Sequence, residues 1–112
     1  MIPTTFEDAL DFLENQMAPG VVQDVVNNMS ENDFTATYHH SVGRDLRNDW
    51  GFWKGDTPLA QWFHSIGIKH ADDMSGIILT SLHRRIRGLP INLDAQVKHY
   101  RDYWTKENPS YL

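Results

Sequence analysis

Large apolar side chains recur at a strict four-residue step through the middle of this chain, and this pattern restricts the possible folds more than any other feature. They are Phe34, Tyr38, Val42, Leu46 and Trp50. A step of this size places side chains on one face of an α-helix. Ser30 is a suitable N-cap before the pattern, and Gly51 is a suitable end after it. The sequence therefore predicts a helix over residues 31–50, with this stripe facing the core.

The rest of the chain also divides into segments with helix start and stop signals. A Thr5 cap predicts a first helix that ends at Pro19-Gly20, and a short second helix begins near Pro19 and reaches Met29. The later helices run from a cap at Thr57 to Gly67, from a cap at Asp72 or Asp73 to Gly88, and from a cap at Asn92 to Trp104. No segment alternates convincingly like a strand. Residues 1–112 are therefore predicted to form a single all-α domain, a compact bundle of five or six short helices.

Composition narrows the class of protein. The 112 residues are 40% hydrophobic and include no cysteine, which excludes disulfides and thiolate metal sites. No apolar run approaches the roughly 18 residues that a membrane span requires, so no membrane partner is expected. The first residues show neither a basic segment nor a long apolar one, so no signal peptide is expected. The expected location is the cytoplasm.

Charge is distributed unevenly along the chain. Residues 1–43 contain seven acidic residues and no Lys or Arg (−7), whereas residues 44–112 contain ten basic and eight acidic residues (+2), which gives the net −5. An acidic half cannot neutralise phosphates, which argues against binding of duplex nucleic acid there. It is either a solvated surface or a contact for a basic partner. The candidate partner-binding residues are Asp8, Asp11 and Glu14, with Phe52 and Trp53 if these rings are exposed.

A polar stripe lies beside the apolar one. His39, Gly43 and Arg47 follow each other at four-residue steps, and Asn48 is adjacent. Glycine inside a helix costs about 1 kcal/mol relative to alanine, so Gly43 indicates that another group approaches closely. Two interpretations remain open: Arg47 and His39 bind an anion, or Arg47 forms a partly buried ion pair with Asp72 or Asp73.

A second polar cluster comprises His70, Asp72, Asp73 and Ser75. Its spacing is not a recognised metal pattern, and paired carboxylates at a helix start favour capping, so no metal is expected. His83, on the same helix, would complete a constellation with His39 and Arg47. No nucleophile elbow or phosphate-binding glycine loop is present, so no catalytic residue and no cofactor is assigned.

Basic residues concentrate at the end of the helix over 72–87. They are Arg84, Arg85 and Arg87, with Lys69 nearby. Cations at this position stabilise the negative end of a helix, and they are also the only candidate contact for nucleic acid.

Two motifs resemble those of an uncharacterised domain family that occurs in bacteria and in their phages or mobile elements. The motifs are His39-x3-Gly43-x2-Leu46-Arg47-Asn48-x-Trp50-Gly51-x-Trp53 and Gly67-Ile68-x-His70-x-Asp72-Asp73-Met74-Ser75-Gly76-Ile77-Ile78-Leu79. The resemblance runs from about Ser30 to Trp104. It implies a shared fold and a shared polar constellation, and it brings no known activity with it.

These observations favour a small, non-enzymatic protein-interaction domain, an accessory or inhibitory (anti-defence type) protein encoded by a phage or mobile element. One alternative is a domain that binds a small anion or a nucleotide, or acts on it, through the His/Arg/Asp cluster. A second is a nucleic-acid-binding protein that uses the basic end of the helix over 72–87. The oligomeric state stays open.

Overall fold

The structure, a computed structural model, describes residues 2–16 and 26–107. Its α-helices are α1 (Phe6–Gln16), α2 (Glu31–Tyr38), α3 (Arg44–Asp49), α4 (Pro58–Ser65), α5 (Ala71–Ile86) and α6 (Leu93–Glu107). A π-helical segment, His39–Gly43, joins α2 to α3, and residues 26–28 are also helical. No strand occurs in these two parts of the chain, which confirms the predicted all-α class. The predicted second helix lies mostly outside the described residues.

Three of the predicted caps form as expected. Thr5 Oγ1 accepts a hydrogen bond from the backbone N–H of Asp8 at 3.0 Å, and Ser30 Oγ accepts one from Asp33 at 3.1 Å. The Thr57 hydroxyl accepts from the backbone N–H of Ala60 at 3.4 Å, directly before the first-turn proline of α4. Each hydroxyl satisfies an amide that has no partner inside the helix.

The cap predicted for α5 is wrong. His70 occupies the cap position without a side-chain hydrogen bond, and the helix begins at Ala71. Asp72 and Asp73 therefore lie inside the first turn, where their negative charges still interact favourably with the positive end of the helix dipole. Their carboxylates contact residues of other helices instead of the α5 amides, as described below.

The single helix predicted over 31–50 is interrupted by the π segment. An α-helix has about 3.6 residues per turn, so a four-residue step drifts by about 40° each time. A π turn, with its i→i+5 hydrogen bonds, contains more residues and offsets part of this drift. Phe34, Leu46 and Trp50 all remain at most 5% exposed as a result, while Tyr38 and Val42 are half-buried.

Helix α5 is the centre of the fold. It packs against α1, α2, α3, the π segment and α6. Its sequence is apolar on several faces, and a helix of this kind is stable only when it is surrounded. Its buried residues run from Ala71 to His83. Among the described residues, no helix has the length and apolar composition needed to cross a bilayer.

Candidate functional site

Arg47 is the centre of the polar cluster and is only 5% exposed. Its Nη1 donates a hydrogen bond to Ser75 Oγ at 2.9 Å, and its Nη2 donates to the backbone carbonyl of His39 at 3.1 Å. The hydroxyl of Ser75, itself fully buried, donates to the carbonyl of Asp72 at 3.0 Å. One guanidinium therefore fastens α3 both to the π segment and to the start of α5.

The carboxylate that faces Arg47 belongs to Asp72. Arg47 Nε and Asp72 Oδ1 are 3.3 Å apart, but the two groups do not form a hydrogen bond. The distance establishes an ion pair, and the buried Nε–H lacks a hydrogen-bond partner among the described residues. The Asp72 side chain is 59% exposed, so the pair lies at the boundary between core and solvent.

Gly43 leaves the space that the Arg47 guanidinium uses. A Cβ at this position would lie 3.0 Å from Arg47 Nη1 and 3.3 Å from the carbonyl oxygen of Tyr38. The close approach that the sequence predicted from a helical glycine is thus that of the Arg47 guanidinium. A side chain at position 43 would require the guanidinium to shift by a few tenths of an ångström.

His39 completes the cluster as a neutral ring. Its Nδ1 is 3.5 Å from Arg47 Nη1, and its Nε2 is 3.9 Å from Asp72 Oδ1. Burial and the charge of Arg47 lower the pKa of His39, while Asp72 acts in the opposite direction. Because Arg47 can only donate, the contact requires Nδ1 to be the acceptor and Nε2 to carry the proton.

The lowered pKa of His39 predicts a loss of stability in acid. In the unfolded chain the imidazole regains its ordinary pKa of 6.5, so the unfolded state binds more protons as the pH falls through that value. The free energy of unfolding then falls as well. We expect a smaller loss in the His39→Gln variant than in the natural chain when urea unfolding is compared at about pH 7.5 and about pH 5.5. Equal losses in the two proteins would contradict the assignment.

Trp53 lies above Arg47 on the surface. Its ring is 62% exposed, its Nε1 donates to Asn48 Oδ1 at 3.1 Å, and Arg47 Cζ is 5.9 Å from the ring centroid. The turn that carries it is closed by the Thr57 hydroxyl, which donates to the carbonyl of Trp50 at 2.9 Å. Trp53 is therefore exposed and at the same time held in one orientation.

Phe52, the neighbouring candidate, is not available to a partner. It is 2% exposed and its ring lies edge-on to Trp50 and Phe63. The prediction of an aromatic contact formed by Phe52 and Trp53 together is wrong for Phe52, because the turn directs consecutive side chains to opposite sides.

Asp73 takes part in a separate contact between α5 and α6. Its Oδ2 accepts a hydrogen bond from Trp104 Nε1 at 2.7 Å, and the Trp104 ring stacks on His70 with a centroid distance of 3.9 Å. Burial raises the pKa of Asp73 above its ordinary 3.8, although the Trp104 hydrogen bond and the nearby His70 and His99 act against this. Of the two aspartates, Asp72 pairs with Arg47 and Asp73 holds α6.

His83 belongs to neither group. It is 1% exposed, its Nε2 lies 2.9 Å from the carbonyl oxygen of Met29, and its ring packs against Phe34. Ser75 lies eight residues earlier on the same helix, or about 12 Å along its axis. The predicted constellation of His83 with His39 and Arg47 is therefore wrong.

The acidic residues of α1 are partly paired within the chain. Arg85 contacts Asp11, Glu14 Oε2 at 3.1 Å and Glu7 Oε1 at 3.6 Å. Arg84 donates to both carboxylate oxygens of Glu31, at 3.0 and 2.9 Å. Two candidate partner-binding residues, Asp11 and Glu14, thus already have a cationic partner. Two of the three arginines at the end of α5 are neutralised in the same way.

Two buried polar residues, Ser81 and Gln96, were not predicted from the sequence. Gln96 is 8% exposed, and its Nε2 donates to Ser81 Oγ at 3.1 Å and to the carbonyl of Ile91 at 3.0 Å. Its position between Leu93, Val97 and Tyr100 on the inward face of α6 was the available signal. In residues 2–16 and 26–107, no three His, Asp or Glu side chains are grouped as metal ligands.

Comparison with models of protein families gives a match over most of the chain. The model of a family described as "Domain of unknown function (DUF6794)" matches residues 2–86, which is more than half of the chain, and the predicted resemblance to an uncharacterised domain family is confirmed. The match includes α1 and ends with α5, whereas the resemblance runs from about Ser30 to Trp104. Comparisons with curated proteins and with solved structures found no significant match.

Proposed function

The chain belongs to the DUF6794 family, and we propose that it is a non-enzymatic protein-interaction domain in which Trp53 is the central contact residue. It binds a cytoplasmic partner protein and acts on it as an accessory or inhibitory factor, of the kind that phages and mobile elements encode. The observation that carries the proposal is the fixed orientation of an exposed tryptophan ring.

A fixed, exposed tryptophan suits protein binding for two physical reasons. Its large apolar ring gains free energy when a partner removes it from water, and Trp is enriched among the residues that dominate interfaces. The Asn48 hydrogen bond and the Arg47 guanidinium beneath the ring already restrict its rotamers. Binding therefore costs less side-chain entropy than it would for a mobile ring.

The same contacts disfavour an anion or nucleotide site at Arg47. Its two terminal nitrogens donate to Ser75 and to the His39 carbonyl, and the side chain is 5% exposed. A phosphate or carboxylate ligand would have to replace these hydrogen bonds inside the core. The geometry supports a structural role for Arg47 that includes support of Trp53.

The ion pairs at the end of α5 disfavour the nucleic-acid alternative. Binding to a nucleic acid requires Lys or Arg side chains that are free to neutralise its phosphates. Arg84 is bound to Glu31 in a bidentate pair, and Arg85 lies among acidic side chains of α1. Of the three, only Arg87 is exposed, whereas Arg84 and Arg85 are half-buried.

Affinity capture with matched variants tests the proposal. Trp53→Ala removes the proposed contact, and Tyr103→Ala removes a comparably exposed ring from α6, where Tyr103 is 53% exposed. Hot-spot truncations cost about 2 kcal/mol or more, so Trp53→Ala should weaken the Kd of a captured partner by at least about 30-fold. Tyr103→Ala should leave it unchanged.

Thermal unfolding of both variants serves as the folding control for this experiment. A protein that binds the natural chain and the Trp53→Ala variant equally well would contradict the proposal. Equal losses of affinity in Trp53→Ala and Tyr103→Ala would contradict it too, because they would show that binding does not depend on the Trp53 ring in particular.

A further inference from the structure

An apolar groove runs between α1 and the helices that contain the four-residue stripe, on a different set of residues from Trp53. It consists of two depressions, of about 480 and about 400 Å³, which share Ile2 and Phe12. The larger is lined in addition by Leu13, Gln16, Val42, Asp45, Leu46, Asp49 and Trp50. The smaller is lined in addition by Pro3, Thr4 and Asp8.

The floor of the groove is apolar and well supported. Phe12 packs edge-on against Trp50 at a centroid distance of 5.9 Å, and Trp50 is only 4% exposed. Ile2, by contrast, is 39% exposed at the point where the two depressions meet. An apolar side chain inserted there would gain free energy by leaving water and by covering Ile2.

The charged residues that line the groove all have the same sign. They are Asp8, Asp45 and Asp49, all exposed, and no Lys or Arg is among the lining residues that the structure describes. None of the three forms an ion pair with another described residue. Asp45 and Asp49 are one helical turn apart on α3, so they line one side of the groove, while Asp8 lies on α1.

The opposite edge of α1 shows the contrast. There Glu7, Asp11 and Glu14 surround Arg85, so the chain supplies its own cation. Along the groove, the described part of the chain supplies none. Of the four acidic residues of α1, the one without a cationic partner among the described residues is therefore Asp8, which borders the apolar floor.

We propose that this groove binds an amphipathic, basic helix of a partner protein. The apolar face of such a helix would cover Ile2 and Phe12, and its Lys or Arg side chains would lie against the three aspartates. The charge pattern selects this occupant, because an acidic or neutral helix would leave the same-sign rim unpaired. The proposal does not depend on Trp53, so each surface can fail its test alone.

A direct test uses three labelled peptides of equal length, about 18 residues so that helices form on binding. The first is an amphipathic Leu/Lys helix, the second has the same residues in an order without helical periodicity, and the third replaces Lys by Glu. We expect the first peptide to bind the natural chain, and the other two to bind at least about tenfold more weakly, by fluorescence anisotropy.

Variants of the chain locate the binding. A triple variant, Asp8→Asn with Asp45→Asn and Asp49→Asn, neutralises the charged rim of the groove. It should lower the affinity for the first peptide by about tenfold. Ile2→Glu, which places a charge on the floor, should weaken it at least as much. The matched control neutralises three exposed aspartates outside the groove, with Asp56→Asn, Asp94→Asn and Asp102→Asn, and should change the affinity by less than about twofold. Thermal unfolding confirms that each variant is folded.

Several results would overturn the proposal. Equal affinity for the amphipathic Leu/Lys peptide and for the peptide without helical periodicity would show that binding depends on net charge alone. Equal losses of affinity in the triple variant of the groove and in the control variant would show the same. Sedimentation that shows a dimer, dissociated by Ile2→Glu, would identify a second copy of the chain as the occupant instead. Absence of peptide binding to the natural chain would remove the groove as a docking site for this class of partner.

Discussion

Replacement of Arg47 by alanine is expected to lower the free energy of unfolding by about 3–5 kcal/mol. The side chain is 5% exposed, and its removal leaves a cavity between α3 and α5. It also deprives the Ser75 hydroxyl and the His39 carbonyl of their donor. Buried acceptors that lose a donor pay their desolvation cost in full. Urea unfolding at neutral pH measures the difference.

Three further variants separate the causes of this loss. Arg47→Met refills the cavity and should recover part of the stability. Arg47→Lys should recover little, because a single ammonium group lacks the planar fork with which the guanidinium reaches two acceptors. Arg87→Ala, at an exposed position of α5's end, should change stability by no more than about 0.5 kcal/mol. A loss below about 1 kcal/mol for Arg47→Ala would show that the guanidinium does not hold these helices together.

The helices were predictable because their signals are local. A hydroxyl three residues before the amide that it binds is visible in the sequence, and Thr5, Ser30 and Thr57 all act in this way. The inward face of the middle helix was also visible from its four-residue step. The π segment was not predicted. A repeat of four residues is longer than the 3.6 residues of an α-helical turn, so the stripe itself indicated a turn with more residues.

The partners of the polar residues could not be predicted with the same certainty. Periodicity places Arg47 on one face of its helix, but it does not say which carboxylate of another helix lies opposite. Consecutive helical residues point about 100° apart, so Asp72 faces Arg47 while Asp73 faces Trp104. The α5 cap failed for the same reason, since both carboxylates are used by tertiary contacts.

The constellation drawn from the sequence therefore separates into distinct parts. His39, Arg47, Asp72 and Ser75 meet, as the ion-pair interpretation of Arg47 requires, and Asn48 instead orients Trp53. His70 and Asp73 join α6, and His83 contacts the segment before α2. Residues close in sequence or on one stripe share a helix face, but long-range packing decides which faces meet.

Two adjacent aromatic residues provide the second large effect. Phe52→Ala is expected to lower the free energy of unfolding by about 3–5 kcal/mol, because the ring is 2% exposed and packs 6.2 Å from Trp50 and 5.9 Å from Phe63, centroid to centroid. The backbone N–H of Phe52 donates to the carbonyl of Arg47 at 3.1 Å, which holds the backbone of the turn after α3. Loss of the ring removes apolar contacts that no neighbouring side chain can replace without moving α4.

Trp53→Ala is the matched comparison, since it removes a larger ring from the next position. Its ring is 62% exposed, so its removal should cost no more than about 1 kcal/mol, from the Asn48 hydrogen bond and the contact with Arg47. Urea unfolding of both variants under one condition gives the comparison. Similar losses at the two positions, or a larger one at Trp53, would mean that the turn after α3 directs the opposite ring inward, and Trp53 would then be a core residue unable to serve as the proposed contact.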